Sequence, residues 1–401
     1  MKKRIIIIGS VVIAIFVLAL SIGLIIKTQN NKVLKVAFYE ISEDIKEPLK
    51  TIIQENYSGK TQYYDLTQED YKPRKISSKY DLFFSWNGDI TDGFSKYAKK
   101  IPLECSSKII STIKVQKYLP ILLDHYELSY LKQARTNAGL NMPSDFEEYM
   151  AYLFKMKEHV FIPFFTEGKN DDTLLGLISV QTEALCGTEG YKKLISLINE
   201  SNSFYDVWEK ELGYSSILQS SISLKYIMDG LSNYVANELS IQNWTNATSK
   251  DVRIYAEEKQ IGVLFTSLSE HRKIPLKTIR EYESDRMPVL FVQENHSLIA
   301  PAVSVVNLVS SKEKNEVVNN IIISLVSEQN QAFLSEKTML APVSQRSGAY
   351  DVQAQDVRYL AAIVPSGPIP DIAHACFGKD SEKKKKFTQE IRKYLSGTTE
   401  K

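Results

Sequence analysis

The sequence predicts an α/β protein with mostly parallel sheets and two lobes, preceded by one membrane-spanning helix. The chain has 401 residues, more than the roughly 100–200 residues of a single domain. Short apolar segments typical of buried strands alternate with segments of helical periodicity. A content of 43% hydrophobic and 24% charged residues excludes a disordered chain and a collagen-like rod, and only one segment could span a bilayer, which excludes a polytopic membrane protein.

The N-terminal segment has the features of a membrane anchor. A basic cap at residues 1–4 precedes an unbroken apolar run of 22 residues at 5–26. As a helix this run is about 33 Å long, against a hydrocarbon core of about 30 Å. A basic cap stays cytoplasmic, so the chain after the polar tether at 27–32 is expected outside. The run exceeds the roughly 7–15 residues of a secretory signal, so we predict a retained anchor, with a cleaved signal as the alternative.

The distribution of charge argues against a nucleic-acid-binding role. The chain carries 49 Lys and Arg against 48 Asp and Glu, and five of the basic residues lie in the first 32. The rest is mildly acidic, a poor partner for a phosphate backbone. Cys105, Cys186 and Cys376 are too few for a disulfide framework and match no metal-ligand spacing. We expect them to be small buried side chains, although one oxidised pair is the alternative, and we expect neither a cofactor nor a metal.

Strands and helices alternate from the tether onwards. Ser144, with Glu147 three residues later, is a capping-box signal for a helix start. The turn residues at 87–89 end a buried strand. Apolar runs predict strands at residues 33–39, 80–86, 101–103, 118–123, 260–265 and 297–309. Helical spacing predicts helices at 45–54, 172–185, 190–198, 205–212, 249–258, 313–325 and 328–334, and in the tail after 379.

Several of these segments, in this order, resemble the extracellular solute-binding proteins that feed bacterial ABC importers, especially the sugar-binding, maltodextrin-binding-like branch. The WNGD segment that follows a buried strand is similar to the site segment of maltodextrin-type binders. The resemblance rests on residues 81–89, 118–130, 138–149, 255–265, 301–307, 328–334 and 342–343. The chain departs from the family in two respects, since it lacks a lipid-anchoring Cys and has few sugar-site aromatic residues between 220 and 275.

The resemblance implies a two-lobed periplasmic-binding-protein-like fold (type 2), in which each lobe is discontinuous in sequence. It implies crossovers near residues 123, 293 and 326, with a ligand held between lobes that close by hinge motion. The predicted divisions are a cytoplasmic cap at 1–4, an anchor at 5–26, a tether at 27–32, lobe 1 at 33–123 plus 297–325, and lobe 2 at 124–296 plus 326–401.

Candidate site residues follow from the chemistry of a sugar, which presents apolar faces and a rim of hydroxyls. Its site needs aromatic rings for stacking and polar side chains for hydrogen bonds. Trp86 and Asp89 offer both at a strand end, where open α/β sheets bind ligands; a core Trp beside a turn-forming Asp is the alternative. Tyr39 and Glu40 end the neighbouring strand, where a strand terminus with a solvated Glu is the alternative. Tyr126 best fits the family position at the first crossover, with hinge packing as the alternative.

The second lobe contributes four further candidates. Asp172 lies in an acidic loop that could meet hydroxyls or a cation, although capping of the next helix is the stronger interpretation from the residues. Trp244 precedes a helix, and Phe265 and Ser267 follow a strand. The predicted ligand-binding residues are therefore Tyr39, Glu40, Trp86, Asp89, Tyr126, Asp172, Trp244, Phe265 and Ser267.

We predict a monomeric, membrane-tethered, extracytoplasmic solute-binding protein that captures a small polar solute, a sugar or oligosaccharide, for the subunits of an ABC permease. The sequence contains no G-x-S-x-G, H-E-x-x-H, P-loop or G-x-G-x-x-G motif, so we expect no catalysis. One alternative is a ligand-sensing or interaction module of the same fold. The other is an extracytoplasmic hydrolase, whose carboxylate pair a sequence cannot single out.

Overall fold

The structure is a computed structural model that describes residues 33–115, 117–215, 220–290 and 295–397. The predicted cap, anchor and tether at 1–32 lie outside the described residues. Within the described ranges, none of the helices has both the length and the apolar character needed to cross a bilayer. Cys105 and Cys376 are buried, as predicted, whereas Cys186 is half-buried.

Strands and helices alternate along most of the chain. The strands are β1 Leu34–Tyr39, β2 Thr61–Leu66, β3 Leu82–Trp86, β4 Tyr118–Leu123, β5 Tyr126–Leu131, β6 Ile162–Thr166, β7 Glu211–Ser215, β8 Ser220–Ser223, β9 Ile261–Ser267, β10 Tyr282–Asp285, β11 Leu298–Ile299, β12 Ala302–Asn307, β13 Ala341–Pro342 and β14 Pro368–Ile369. The helices are α1 Glu43–Asn56, α2 Pro73–Lys79, α3 Asp89–Asp92, α4 Leu103–Ser106, α5 Lys132–Asn137, α6 Phe146–Met156, α7 Asp171–Glu200, α8 Leu224–Ala236, α9 Ser249–Glu257, α10 Leu268–His271, α11 Leu276–Ile279, α12 Lys312–Leu325, α13 Glu328–Thr338, α14 Val352–Ile363, α15 Ile372–Cys376 and α16 Ser381–Leu395.

The first sheet has six strands in the order β13-β4-β12-β3-β1-β2. β1 pairs parallel with β2 and β3, and β12 pairs antiparallel with β3 and β4. Apolar side chains on both faces of β1 and β3 are buried, one face in each of two clusters. Continuous apolar runs produce this doubly covered sheet. Since β1 and β3 are parallel neighbours, Tyr39 and Trp86 come to the same edge.

The second sheet has four strands in the order β10-β5-β9-β6. β6 runs parallel to β9, and β5 runs antiparallel to β9, with Tyr126 opposite Ser267. The long helix α7 begins just after β6 and packs against this sheet. It spans the two helices predicted at 172–185 and 190–198, which meet at a kink where Gly187 has a φ of 65°.

Two sets of hydrophobic clusters define the two lobes. The first surrounds the six-stranded sheet and the second the four-stranded sheet. The segment 326–364 packs with the first sheet, because β13 pairs with β4 and α13 packs on α1, whereas the sequence placed it in lobe 2. From these contacts we propose lobe 1 as 33–123 plus 298–364 and lobe 2 as 124–290 plus 369–397.

Three local predictions differ from the structure. Residues 205–212 form no helix; a single 3₁₀ turn at Phe204–Asp206 is followed by β7, which pairs with β8. This hairpin pairing outweighs local helical spacing. Residues 101–103 form no strand, since α4 begins after Pro102. The N-cap of α6 is Asp145, whose side chain accepts from Glu148 N, one residue later than the capping pattern predicted.

Candidate functional site: a cavity between the two lobes

A cavity of about 110 Å³ lies between the lobes, at the carboxyl ends of β1 and β3 and the start of α7. Both lobes line it, which makes it the place where lobe movement would act on a ligand. Its lining residues are Tyr39, Glu40, Gln68, Trp86 and Ile90 from the first lobe, and Asp172, Ala373, His374, Phe377, Gly378, Ser381 and Lys384 from the second.

The first-lobe side of the cavity is formed by the ends of two parallel strands. Trp86 ends β3 and is half-buried. Glu40 follows β1 with a φ of 49°, a left-handed conformation that turns the chain at the strand end. The side chain of Asn87 fixes the loop after β3, because its Oδ1 accepts from Ala302 N at 2.7 Å. The first lobe therefore presents an aromatic ring and a carboxylate at a sheet edge that a side-chain hydrogen bond holds in place.

The second-lobe side is organised around the buried carboxylate of Asp371. Asp371 is the N-cap of α15, and its Oδ1 accepts from His374 N at 2.9 Å and lies 2.7 Å from His374 Nδ1. Its Oδ2 accepts from the hydroxyl of Tyr126 at 2.6 Å. The His374 ring, held in this way, lies 5.3 Å from the Trp86 ring, centroid to centroid. The site thus combines two rings from different lobes.

Most of the charged groups at the cavity are paired with a group of opposite charge. Lys384 Nζ donates to Asp172 Oδ1 at 2.8 Å. Burial alone would lower the pKa of Lys384, but Asp172 raises it above its usual value. Burial would likewise lower the pKa of His374, and the charge and hydrogen bond of Asp371 raise it. Partial burial raises the pKa of Glu40, against the attraction of Lys384. Paired donors and acceptors of this kind suit the hydroxyl groups of a neutral ligand.

Several contacts join the two lobes. At the cavity, the Tyr39 hydroxyl donates to Gly378 O at 2.9 Å and Gln68 Nε2 donates to Lys379 O at 2.7 Å. Lys379 also forms an ion pair with Asp89. Apart from the lining residues, Arg272 pairs with Asp44. The lobes are therefore closed, and the remaining space is smaller than the roughly 300–1,000 Å³ of most small-molecule sites.

At Gly88 the main chain of the first lobe lies close to the main chain of the second. The φ of Gly88 is 119°, a backbone angle that residues other than glycine rarely adopt. A Cβ atom placed on it would lie 2.5 Å from the carbonyl oxygen of His374. Only glycine fits this contact.

Comparison with known proteins places the fold. No family model matches the sequence, and no curated protein matches it. Solved structures do match. The bacterial solute receptor AcbH, reported to prefer β-D-galactopyranose, has a TM-score of 0.68 at 12% identity, covering 91% of this chain and 97% of that one. The binding protein MsmE from Bacillus subtilis, in an open conformation, has a TM-score of 0.66 at 12% identity, covering 92% and 97%.

A third match is a sugar transporter from Bacillus licheniformis in complex with stachyose. Its TM-score is 0.62 at 13% identity, covering 92% of this chain and 96% of that one. This chain has the fold of the sugar-binding ABC solute-binding proteins. The fold implied by the sequence resemblance is therefore confirmed for the two-lobed part of the chain.

Within this solute-binding-protein fold, four of the nine candidate residues line the cavity: Tyr39, Glu40, Trp86 and Asp172. Two others lie beside it. Asp89 is at the rim, paired with Lys379. Tyr126 is buried behind the wall, where its hydroxyl holds Asp371.

The other three candidates lie away from the cavity. Trp244 is 1% exposed and belongs to the core of the second lobe, because its turn packs against Gly168. Phe265 is fully buried and stacks on Tyr126, with ring centroids 5.6 Å apart. Ser267 is the N-cap of α10, where its hydroxyl accepts from Glu270 N at 3.3 Å. Trp244 and Phe265 are core side chains and Ser267 is a helix cap.

The sequence missed most of the second-lobe wall. Asp371, His374 and Lys384 come from a C-terminal segment for which the sequence predicted only a helix after residue 379. An Asp three residues before a His is a sequence signal for a helix N-cap whose side chain also meets the His. For Gln68, which lines the cavity from the first lobe, the sequence holds no comparable signal. Among the described residues, no group of three His, Cys, Asp or Glu side chains is arranged to hold a metal.

Proposed function

We propose that this protein captures a sugar between its two lobes, outside the cytoplasm, and delivers it to an ABC permease. The observation that carries the proposal is the interlobe cavity, in which Trp86 from one lobe faces His374 from the other. Each lobe supplies only part of the cavity lining, so a bound solute would touch both lobes and favour their closed arrangement.

The wall chemistry supports a carbohydrate. The half-buried Trp86 ring offers an apolar surface for the C–H face of a sugar ring. Glu40 and Asp172 accept hydrogen bonds, and Lys384 donates them. Because Lys384 is paired with Asp172 and His374 with Asp371, and Glu40 is a further carboxylate, a solute with strong net charge would be repelled by side chains of its own sign.

Capture then requires no covalent chemistry. The cavity is smaller than most small-molecule sites, so the lobes must separate for a sugar to enter and then close around it less tightly than in this structure. A ligand that binds the closed arrangement better than the open one shifts the population toward it. The protein's own cross-lobe contacts, such as Tyr39 to Gly378, supply part of the stability of the closed form.

The location and the partner are further parts of this proposal. The apolar run at 5–26 supports a membrane anchor, with the lobes outside. A six-residue tether at 27–32 reaches at most about 20 Å, which would keep the lobes near the bilayer and near a permease. The carbohydrates named for AcbH and for the B. licheniformis protein belong to those proteins, and they suggest the first ligands to try.

The test is ligand-dependent stabilisation of the full-length protein. We expect D-galactose or stachyose to raise Tm, since a ligand that binds the folded state and is present at about 100 times its Kd adds about 2.7 kcal/mol to the free energy of unfolding. Trp86→Ala should weaken the binding at least about tenfold because it removes the stacking surface.

Trp208→Ala is the matched control, because Trp208 is also half-buried but packs on Phe204 and Tyr394 and does not line the cavity. It should lower the free energy of unfolding and leave sugar affinity unchanged. Full affinity in Trp86→Ala, or no stabilisation by any sugar in a broad panel, would overturn the proposed function.

A further inference from the structure

A second cavity, of about 310 Å³, lies entirely within the second lobe. This volume is within the usual range for small-molecule sites. Every lining residue falls between 167 and 274, and none of them lines the cavity between the lobes. Opening or closing of the lobes therefore leaves its walls intact.

The cavity sits over one face of the four-stranded sheet, between α9 and the segment that begins with α10. Thr266 in β9 contributes to the lining and faces the same side of the sheet as Glu127, its partner in β5. Val252 from α9 and Ile274 beyond α10 supply apolar wall. The site is therefore built on a rigid sheet and two packed helical segments.

Thr266, which contributes to the lining, carries an unsatisfied hydroxyl group that lies beneath the cavity wall. The residue is 4% exposed, and its Oγ1 has no hydrogen-bond partner among the described residues. Glu127 Oε2 and His271 Nε2, on the same side of the sheet, also lack partners, and Glu127 Oε2 lies 3.7 Å from His271 Nδ1. Thr166, by contrast, donates to Phe265 O at 2.9 Å. Buried polar groups are nearly always satisfied by protein, water or a ligand.

The charges around the cavity favour a neutral occupant. The carboxylate of Glu167 accepts from the backbone N–H of Ser249 at the start of α9, so the protein's own anion occupies the place where a helix N-terminus attracts one. Lys273 Nζ donates to Glu270 Oε1 at 2.6 Å, and Arg253 Nε donates to Glu257 Oε1 at 2.8 Å. An anion would meet two carboxylates, and a cation would meet Lys250, Arg253 and Lys273.

We propose that this cavity is a second ligand site, for a neutral polyhydroxylated molecule of about monosaccharide size. Its hydroxyl groups meet the polar side chains at the rim and complete the hydrogen bonding of Thr266 once that side chain turns its hydroxyl toward the cavity. Its C–H face lies on Val252 and Ile274. The inference goes beyond capture between the lobes, because this site is formed by one lobe and binds its occupant whether the lobes are open or closed.

The test is calorimetric titration of the full-length protein with D-galactose, D-glucose and myo-inositol. We expect one of them to bind at a site that survives Trp86→Ala. Thr266→Val, which keeps the shape and removes the hydroxyl, should weaken that event about threefold to tenfold. Ser249→Trp, a change at an exposed rim position, should block it.

Ser240→Ala is the matched control, because Ser240 Oγ is also buried without a partner among the described residues but does not line the cavity. Thr266→Val and Ser240→Ala should both leave the protein folded, and only the first should affect binding. If all binding is lost in Trp86→Ala and unchanged in Thr266→Val and Ser249→Trp, the second site does not exist while the proposed function stands. If none of the three compounds binds, this inference is overturned. The proposed function is then still tested separately, by the stabilisation of the protein with oligosaccharides.

Discussion

The two cavities differ in how their polar groups are satisfied. Around the cavity between the lobes, most polar side chains already have protein partners, several of them in the opposite lobe. At the second-lobe cavity, the buried hydroxyl of Thr266 has no hydrogen-bond partner among the described residues. A site made by closure can exchange protein partners for ligand when the lobes separate, whereas a site within one lobe must keep its unsatisfied group until a ligand or water arrives.

The two cavities also differ in what sets their size. The volume between the lobes, about 110 Å³, depends on the angle between two bodies, and the 310 Å³ of the second-lobe cavity depends on packing inside one. Changes at the junction between the lobes should therefore alter the first site and spare the second. Two substitutions, Asp371→Ala and Lys379→Ala, separate the cavities on this basis, and a third, Asp124→Asn, tests a buried carboxylate at the first crossover between the lobes.

The largest effect is expected for Asp371→Ala. It leaves the Tyr126 hydroxyl and the His374 ring without their buried partner, so the free energy of unfolding should fall by about 3–5 kcal/mol. Sugar affinity between the lobes should be lost, and myo-inositol or hexose affinity in the second lobe should be unchanged. Chemical denaturation and calorimetry measure the two effects.

Asp380→Ala is its control, since Asp380 is also an N-cap and accepts from Lys383 N, but at an exposed position. It should cost only about 1 kcal/mol. Equal losses in the two variants would contradict the structural role given to Asp371.

An intermediate effect is expected for Asp124→Asn at the first crossover. Burial raises the pKa of Asp124 to about 6, although Ser269 opposes the shift by donating to the carboxylate from its side chain and backbone. A folded-state pKa above the unfolded value of about 3.9 means that the wild-type protein loses stability as pH rises from about 4 to 6. Asn is neutral, so the variant should be more stable than wild type by about 2–3 kcal/mol at pH 7.

The comparison at pH 3.5 serves as the internal control for Asp124→Asn, because Asp124 is then protonated and the stabilisation should vanish. Denaturant titration over pH 3.5–7 measures the difference. A gain that does not depend on pH would show that the change acts through packing and not through the carboxylate.

The smallest effect is expected for Lys379→Ala, which removes the ion pair to Asp89 across the lobes. Partly exposed ion pairs contribute only about 0–1 kcal/mol, so sugar affinity between the lobes should fall less than about fivefold, and affinity in the second lobe should not change. Lys337→Ala, which removes an exposed pair with Glu336 within one lobe, should alter neither affinity.

The contrast between Trp86 and Trp244 shows what the sequence could predict. Trp86 ends an apolar run that becomes a buried strand, and strand ends meet at a sheet edge, so its position near a ligand follows from local pattern. Trp244 also stands before a helix, but its burial depends on packing with a loop more than 70 residues earlier in the chain. Local spacing holds no information on that contact.

The same reason explains the missed residues and the shifted lobe boundary. His374 meets Trp86 from a segment near the C-terminus, and no local pattern links the two. The short strand β13 carries 326–364 back to the first sheet, although two residues are too few to be recognised as a strand. Alternating strands and helices fixed the α/β class and most elements, because those depend on periodicity over neighbouring residues.

Gly88 has a mechanical consequence for this fold. Because His374 O approaches its Cα so closely, main-chain atoms, and not adjustable side chains, set the limit of lobe approach. A single methyl group there, as in Gly88→Ala, would keep the lobes from closing fully without removing any polar group from the cavity. The size of residue 88 thus limits how closely the two lobes can approach each other.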